Sequence, residues 1–171
     1  MRIDRLNIRP AERSDVDDIA QAHLDSIQSI GASYYPADVV AGWQDGVAGG
    51  LYLHAMDRGE VFFVAIGEVN GTPLVLGFSS DYSIEGSTHG TSVYVRGIAA
   101  RQGIGTALLR TAETHAVANG GCAVRIEASL AGAAFYQANG YVEIGRGEIQ
   151  LLSGYPIQCV FMRKSLARAG C

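Results

Sequence analysis

Apolar residues recur along this chain with two different spacings, and the change between them predicts the order of its elements. Between residues 16 and 30 they follow the three-to-four-residue spacing of an amphipathic helix, and Ser14 with Asp17 resembles a capping box. After Gly59 the spacing shortens to the runs and alternation typical of strands, and Asn70-Gly71 predicts a hairpin turn. A return to helical spacing at 104–118 and then to strands predicts a mixed α/β (α+β) sheet with helices on its faces.

The individual elements follow from the same patterns. The expected strands lie at residues 2–9, 61–66, 74–82, 89–95, 122–128, 141–144 and 157–163. The expected helices cover 16–30, a short segment after Pro36, 51–57, 104–118 and a short segment ending at Gly140. In the helix over 104–118, the spacing places four residues on one buried face: Leu108, Leu109, Ala112 and Ala116.

Composition and charge narrow the class of protein. The chain has 171 residues, 48% hydrophobic and 18% charged, so we expect one globular domain over residues 1–171. A net charge of −4 argues against a nucleic-acid partner. No apolar run is long enough for a membrane helix, and the charged N-terminus lacks a signal-peptide core, so we expect a cytoplasmic protein without a membrane partner. The three cysteines fit no zinc motif, and we expect no metal.

The stretch RQGIGTALLR, residues 101–110, places two glycines where a strand ends and a helix begins. Glycine is a poor helix residue, so the pair suggests a need for exposed backbone. Amides at a helix N-terminus lack helical partners and carry partial positive charge, which suits an anion such as phosphate. A tight turn without a ligand would give the same pattern.

The sequence lacks residues that two common phosphate-binding loops require. A P-loop needs a lysine followed by serine or threonine after its last glycine, and no lysine follows here. A dinucleotide fingerprint needs a third glycine where this chain has Leu108.

The wider sequence VYVRGIAARQGIGTALL resembles the central motif of the GNAT acetyltransferase superfamily, with matching residues Gly103 and Gly105. A second family signature is similar to ASLAGAAFYQANGYVEIG downstream. IRPAERSDVDDIAQAH resembles the usual opening and CVFMRKSL the usual closing strand, so the resemblance covers nearly the whole chain. One departure is Ala100, where the family usually has Gln or Arg; Arg101 follows where Gly is common.

The resemblance implies a fold and a cosubstrate. The implied fold is a mixed, mostly antiparallel twisted sheet of six to seven strands, splayed in the middle and flanked by four to five helices. The implied cosubstrate is acetyl-CoA, whose acetyl group passes to an amine. By position in the motif, the resemblance assigns the pyrophosphate to the loop residues Arg101, Gln102, Gly103, Ile104, Gly105 and Thr106. Val93 and Val95 would pair with the pantetheine arm, an amide of this strand such as that of Val95 would stabilise the oxyanion, and Ser129 stands where the family often has an asparagine near that arm.

Acetyl transfer requires one residue that protonates the leaving thiolate and one group that deprotonates the amine. Tyr136 matches the tyrosine to which the family assigns protonation of the leaving thiolate, and a phenol with a pKa near 10 is protonated at neutral pH. A base must also take a proton from the amine, which arrives charged. His89 is our candidate, with Asp81, Glu85 or water as open alternatives. His23 is expected to be a buried or groove residue, and His54 and His115 ordinary helix residues.

The sequence therefore predicts an acetyl-CoA-dependent N-acetyltransferase that acts by direct transfer onto a small-molecule or peptide amine. The alternative is a GNAT-fold domain that binds acyl-CoA but catalyses little, which Ala100 and the unassigned base keep open. Tyr34, Tyr35 and Trp43 form a candidate acceptor groove, with core packing favoured for Trp43. The acceptor's identity and the oligomeric state, a homodimer among the options, stay open.

Overall fold

A computed structural model describes residues 3–166 of the chain. The strands are β1 (Asp4–Pro10), β2 (Val61–Val69), β3 (Thr72–Glu85), β4 (Thr88–Gly90), β5 (Val93–Val95), β6 (Ala123–Ser129), β7 (Val142–Gln150) and β8 (Pro156–Ser165). The helices are α1 (Val16–Ser29), α2 (Ala37–Gln44), α3 (Gly49–Asp57), α4 (Ile104–Ala118) and α5 (Ala133–Ala138). Within residues 3–166, no helix has both the length and the apolar character to cross a membrane.

The strands form one mixed sheet in the order β1-β2-β3-β4-β6-β8-β7, and β5 pairs with β3 beside that path. All neighbours are antiparallel except β4 and β6, which are parallel. The predicted fold class is confirmed. The sheet has eight strands because the strand expected at 89–95 is interrupted at Thr91 and Ser92 and becomes β4 and β5.

The two central strands separate part of the way along the sheet. β4 and β6 pair over three positions, from Thr88↔Ala123 to Gly90↔Arg125. Beyond Gly90, β5 pairs with β3, and the remainder of β6 pairs with β8. This leaves an opening between β5 and the end of β6, which we call the central gap; its closed tip lies at Gly90 and Arg125.

Helices cover the sheet on two faces. On the first face, α1 and α3 pack against alternate residues of β2 and β3, such as Phe62, Val64 and Phe78. On the second face, α4 packs against the intervening residues, such as Phe63 and Leu76. The alternation arises because successive strand residues point to opposite sides of a sheet. Both α4 and α5 also cover the second face of β6.

The element predictions match closely. The buried face of α4 is confirmed, since Leu108 and Leu109 are fully buried and Ala112 and Ala116 are 1% exposed. The strand expected over 2–9 occupies Asp4–Pro10, and residue 2 lies outside the described range. β7 continues six residues beyond the expected end at 144 because it pairs with β8 as far as Gln150↔Pro156.

Candidate active site

The backbone of β5 points its polar groups in two directions. The Arg96 amide donates to the Leu76 carbonyl at 2.8 Å, and the Ser80 amide donates to the Ser92 carbonyl at 3.0 Å. Even-numbered residues therefore bond to β3, and in an antiparallel ladder the intervening residues point the other way. The N–H and C=O groups of Val93 and Val95 consequently face the central gap, where β6 pairs only with β8.

The segment after β5 ends in a helix N-terminus with free donors. Gly103 is the N-cap of α4, and the first helical hydrogen bond joins the Ala107 amide to the Gly103 carbonyl at 3.0 Å. The amides of residues 103–106 therefore lack helical partners. Gly103 has φ +80° with open space around it, and Arg101 also has a positive φ of 60°, a conformation for which glycine is better suited.

The second glycine of the turn serves packing. A Cβ built on Gly105 would lie 3.2 Å from a ring carbon of Phe135 on α5. The two positions therefore favour glycine for different reasons. Gly103 has a left-handed backbone, and Gly105 allows α5 to lie close to the start of α4.

Tyr136 of α5 reaches the border of the central gap. Its side chain is 5% exposed and packs edge-on against Tyr141 at 5.5 Å between ring centroids. Burial raises the pKa of Tyr136 above its ordinary value, an effect that a hydrogen bond from the Val93 backbone opposes. The phenol is therefore protonated at neutral pH and lies beside a strand whose polar groups face the gap.

At the end of β6 that borders the central gap, two hydroxyl groups form hydrogen bonds with the backbone. Ser129 accepts a hydrogen bond from the Gly132 amide at 3.1 Å, which closes the turn into α5. The Tyr35 hydroxyl accepts from the Leu130 amide and donates to the Gln158 carbonyl, both at 2.7 Å. Tyr35 thereby ties the end of β6 to β8 on the first face. The Ser129 hydroxyl therefore stabilises the turn that precedes α5, and its contact with the cosubstrate stays a prediction.

His89 lies away from Tyr136, at the closed end of the gap. It is 6% exposed, and its Nδ1 is 2.7 Å from Asp81 Oδ1. The other Asp81 oxygen is 2.6 Å from His115 Nδ1 on α4, so His115 is not the ordinary helix residue expected. Four positions of extended strand, about 13 Å, separate His89 from Val93. A catalytic role for His89 stays a prediction, and the contacts show a cluster that joins β3, β4 and α4.

An aromatic group lines the first face beside β5. Trp43 and Tyr35 are 9% and 8% exposed, whereas Tyr34 is 54% exposed. Trp43 and His23 both contact Tyr94, with His23 3.8 Å from it between ring centroids. The core role favoured for Trp43 agrees with its burial.

His23 is buried as expected, but only one of its nitrogens has a partner. Nδ1 lies 2.6 Å from the Tyr52 hydroxyl, while Nε2 is buried without one. Burial lowers the pKa of His23 to about 3, so the ring is neutral.

One positioning residue has no signal in the sequence. The Asp25 carboxylate on α1 accepts a hydrogen bond from the Gly97 amide at 2.8 Å and lies 3.6 Å from Arg96 Nη1. A Cβ on Gly97 would meet the Ser29 side chain at 2.6 Å. α1 therefore fixes the segment that leads from the gap to the free amides of α4. Within residues 3–166, no cluster of three or more His, Cys, Asp or Glu residues could hold a metal ion.

A backbone strand facing an open gap, a free helix N-terminus and a protonated tyrosine make up the candidate site. The sequence profile of the acetyltransferase (GNAT) domain matches residues 58–143, half of the chain, so the protein belongs to the GNAT acetyltransferase family and is an acyltransferase. No functionally curated protein matches the chain significantly.

Solved structures share the fold along almost the whole chain. A GCN5-related N-acetyltransferase from Rhodopseudomonas palustris has a TM-score of 0.78 and 24% identity, covering 97% of this chain and 99% of its own. The PaiA N-acetyltransferase from Thermoplasma acidophilum, in complex with coenzyme A, has a TM-score of 0.72 and 18% identity, covering 94% and 99%. A phosphinothricin acetyltransferase from Sinorhizobium meliloti, in complex with acetyl-CoA, has a TM-score of 0.67 and 20% identity, covering 96% and 90%.

Proposed function

We propose that this protein transfers the acetyl group of acetyl-CoA directly to a primary amine of a small molecule or peptide, within a ternary complex. The observation that carries the proposal is the central gap, into which Val93 and Val95 direct backbone groups between the α4 N-terminus and Tyr136. Coenzyme A or acetyl-CoA in two of the structurally similar proteins supports the choice of cosubstrate.

The residues around the gap fit the parts of acetyl-CoA. The unpartnered amides of residues 103–106, at the positive end of the α4 dipole, suit a pyrophosphate without side-chain cations. Arg101 and Gln102 are exposed beside them, and Arg101 would add a positive charge that Ala100 does not supply. The amide-rich pantetheine arm would pair with Val93 and Val95 as an added strand, with Ser129 across the gap.

The chemistry then divides among few groups. The amine nitrogen attacks the thioester carbon, and negative charge develops on the thioester oxygen, which we assign to the Val95 amide. The bond between carbon and sulfur breaks, and Tyr136 donates its proton to the departing thiolate. The nitrogen loses a proton as the amide forms, and this proton restores the Tyr136 hydroxyl. Burial keeps the tyrosine protonated at neutral pH, and the hydrogen bond from the Val93 backbone, which opposes the rise in pKa, favours release of the proton.

The acceptor is expected on the first face, opposite the face that α4 and α5 cover. The partly exposed ring of Tyr94 packs with the buried Tyr35 and Trp43 on this face beside β5, and an ammonium group is attracted to such rings. His89 is a weaker candidate for the base than its place in the sequence suggests, because Asp81 holds it at the closed end.

The experiment that tests this function measures thiol release from acetyl-CoA with a panel of amines. The panel contains kanamycin, spermidine, methionine, Nα-acetyl-lysine and a peptide with a free N-terminus. We expect release with at least one amine, and initial-velocity lines that intersect when both substrates are varied. Parallel lines with an acetylated enzyme would contradict direct transfer. The absence of release with every amine would contradict the enzymatic function.

A further inference from the structure

A line of polar side chains leads away from the closed tip of the central gap on the first face. Ser92 follows the last residues of β4, and its hydroxyl lies 2.9 Å from the Ser80 hydroxyl on β3. Phe62 of β2 pairs with Ser80, so Glu60, the residue immediately before β2, lies on the same face of the sheet beside Ser80, and the Ser80 hydroxyl lowers the pKa of the Glu60 carboxyl. Two serine side chains therefore lead from the gap to a partly buried carboxyl group.

The strand register places this line on the side where the acceptor is expected. Gly90↔Arg125 is the last parallel pair, so two positions further on Ser92 and Glu127 face each other across the tip of the gap. Glu127 lies on the first face because its neighbours Ile126 and Ala128 belong to the core of the second face. A carboxylate across from Ser92 would attract a cationic amine to this point.

The environment of Glu60 suits a group that gains and loses a proton. Burial raises the pKa of Glu60 above its ordinary value, and the charge of Asp81 adds to the shift while the Ser80 hydroxyl opposes it. The other titratable groups that face it are Tyr82 on β3 and Tyr52 on α3, whose pKa values its charge helps to raise. A carboxyl with a raised pKa is a better proton acceptor near neutral pH than an ordinary one.

The neighbouring carboxylate is engaged elsewhere. Both oxygens of Asp81 are held by imidazole nitrogens, at 2.7 Å from His89 and 2.6 Å from His115. Gly90 has no side chain to offer at the tip, and a Cβ there would lie 2.5 Å from the Tyr82 hydroxyl. The polar connection from the tip of the gap to a carboxyl group thus runs through Ser92 and Ser80.

We propose that Glu60 takes the proton of the acceptor amine through the hydroxyls of Ser92 and Ser80, an inference that rests on the proposed acetyl transfer. While it lies at the tip of the gap, before it reaches the thioester, the ammonium group gives a proton to Ser92 Oγ. Ser92 passes its own proton to Ser80, and Ser80 passes its own to the Glu60 carboxylate. Both serines end as they began, the amine gains a free electron pair for attack, and Glu60 later returns the proton to solvent, to which it is partly exposed.

The test compares Glu60→Gln with Glu68→Gln, a control on β2, the strand that follows Glu60, where the Glu68 carboxylate accepts a hydrogen bond from Arg5 near the surface. The assay uses the panel amine with the highest kcat/KM for the wild type. We expect Glu60→Gln to lower kcat/KM by about 100-fold, with acetyl-CoA affinity unchanged. Since a carboxylate accepts protons only above its pKa, the wild-type rate falls at acidic pH, and this limb disappears in the variant. Glu68→Gln keeps both the rate and the limb.

A second pair of variants tests the path. Ser92→Ala removes one hydroxyl from a partly exposed position, and we expect a loss similar to that of Glu60→Gln. Because both residues act in one path, the double variant should lose no more than either single variant. An unaltered pH profile in Glu60→Gln, or losses that multiply in the double variant, would overturn the relay while leaving acetyl transfer intact. A wild type that binds acetyl-CoA but acetylates no amine would overturn the function and the relay together.

Discussion

The two ends of the broken strand over residues 88–95 differ in how their polar groups are satisfied. At the closed end, His89 and His115 share the Asp81 carboxylate, and β4 is paired on both sides. At the open end, β5 is paired on one side only, and Val93 and Val95 direct their backbone groups into the central gap, where the Val93 backbone bonds to the Tyr136 hydroxyl and Val95 has no strand partner. Buried polar groups that satisfy one another stabilise a fold, whereas oriented groups without protein partners are available to a ligand. We therefore propose that the closed end is structural and that the open end is the binding end.

We expect the largest loss of acetyl-CoA binding at the open end from a negative charge in the loop before α4. Gly103→Glu places a carboxylate in the open space beside the free amides of α4, where it would repel a diphosphate. We expect acetyl-CoA affinity to fall by about 100-fold or more, measured by calorimetry. Gly103→Asn is the matched control, because asparagine tolerates the positive φ and adds no charge. Equal affinities for Gly103→Glu and the wild type would contradict a pyrophosphate site here.

Tyr136→Phe removes the acid from the open end while keeping its packing. We expect kcat to fall by about 100-fold and the dissociation constant of acetyl-CoA to change little. Tyr141→Phe is the control: it removes a neighbouring buried phenol that donates to Glu113 at 2.9 Å, and it should keep the rate. A Tyr136→Phe enzyme with wild-type kcat would assign the thiolate's proton to another group.

His89→Ala tests whether the closed end is structural. The substitution removes one of two partners of the buried Asp81 and leaves a cavity, so we expect the free energy of unfolding to fall by about 2–4 kcal/mol. The exposed His54 provides the control, since His54→Ala should cost little. If His89→Ala instead retains stability and loses the acid limb of the rate profile, His89 is the base and the contrast between the two ends fails.

His23 is buried like His89, but no carboxylate within residues 3–166 is bonded to it. Burial lowers its pKa from 6.5 to about 3, so between these values the unfolded chain binds one more proton than the folded chain. Stability should therefore fall with decreasing pH, at a limiting slope of about 1.4 kcal/mol per pH unit. Urea unfolding at several acidic pH values should show a shallower slope for His23→Leu, and an unchanged slope for His54→Leu. Equal slopes in wild type and His23→Leu would contradict a neutral buried ring.

The sequence predicts most of the fold because its signals are local. The spacing in α4, the Asn70-Gly71 turn and the left-handed turn at Gly103 each depend on a few neighbouring residues, and the structure has these elements where they were expected. The full extent of β7 was missed because its pairing with β8 is a contact between distant segments. The interruption at Thr91 and Ser92 was missed for the same reason: it depends on where β6 stops pairing with β4.

The residues of the candidate site also differ in whether a local sequence pattern indicates them. The loop residues and Tyr136 lie in motifs, so the sequence indicates them directly. Glu60 lies between a helix and an apolar strand, in a position that looks like an ordinary turn, and only the strand register brings it to Ser80. Asp81 similarly gives no sign in the sequence that two histidines hold it. Residues that act through contacts between strands carry no local pattern.

The most direct test of the central claim is calorimetric titration of the wild-type protein with acetyl-CoA, with ATP and NAD as control ligands. We expect micromolar binding of acetyl-CoA. The β5 backbone at the gap would bind its pantetheine arm, and the free amides of α4 would bind its diphosphate. ATP and NAD carry phosphates but no pantetheine arm, so their binding should be far weaker. Binding of all three with similar affinity, or no binding of acetyl-CoA, would contradict the assignment of the open end as a coenzyme A site.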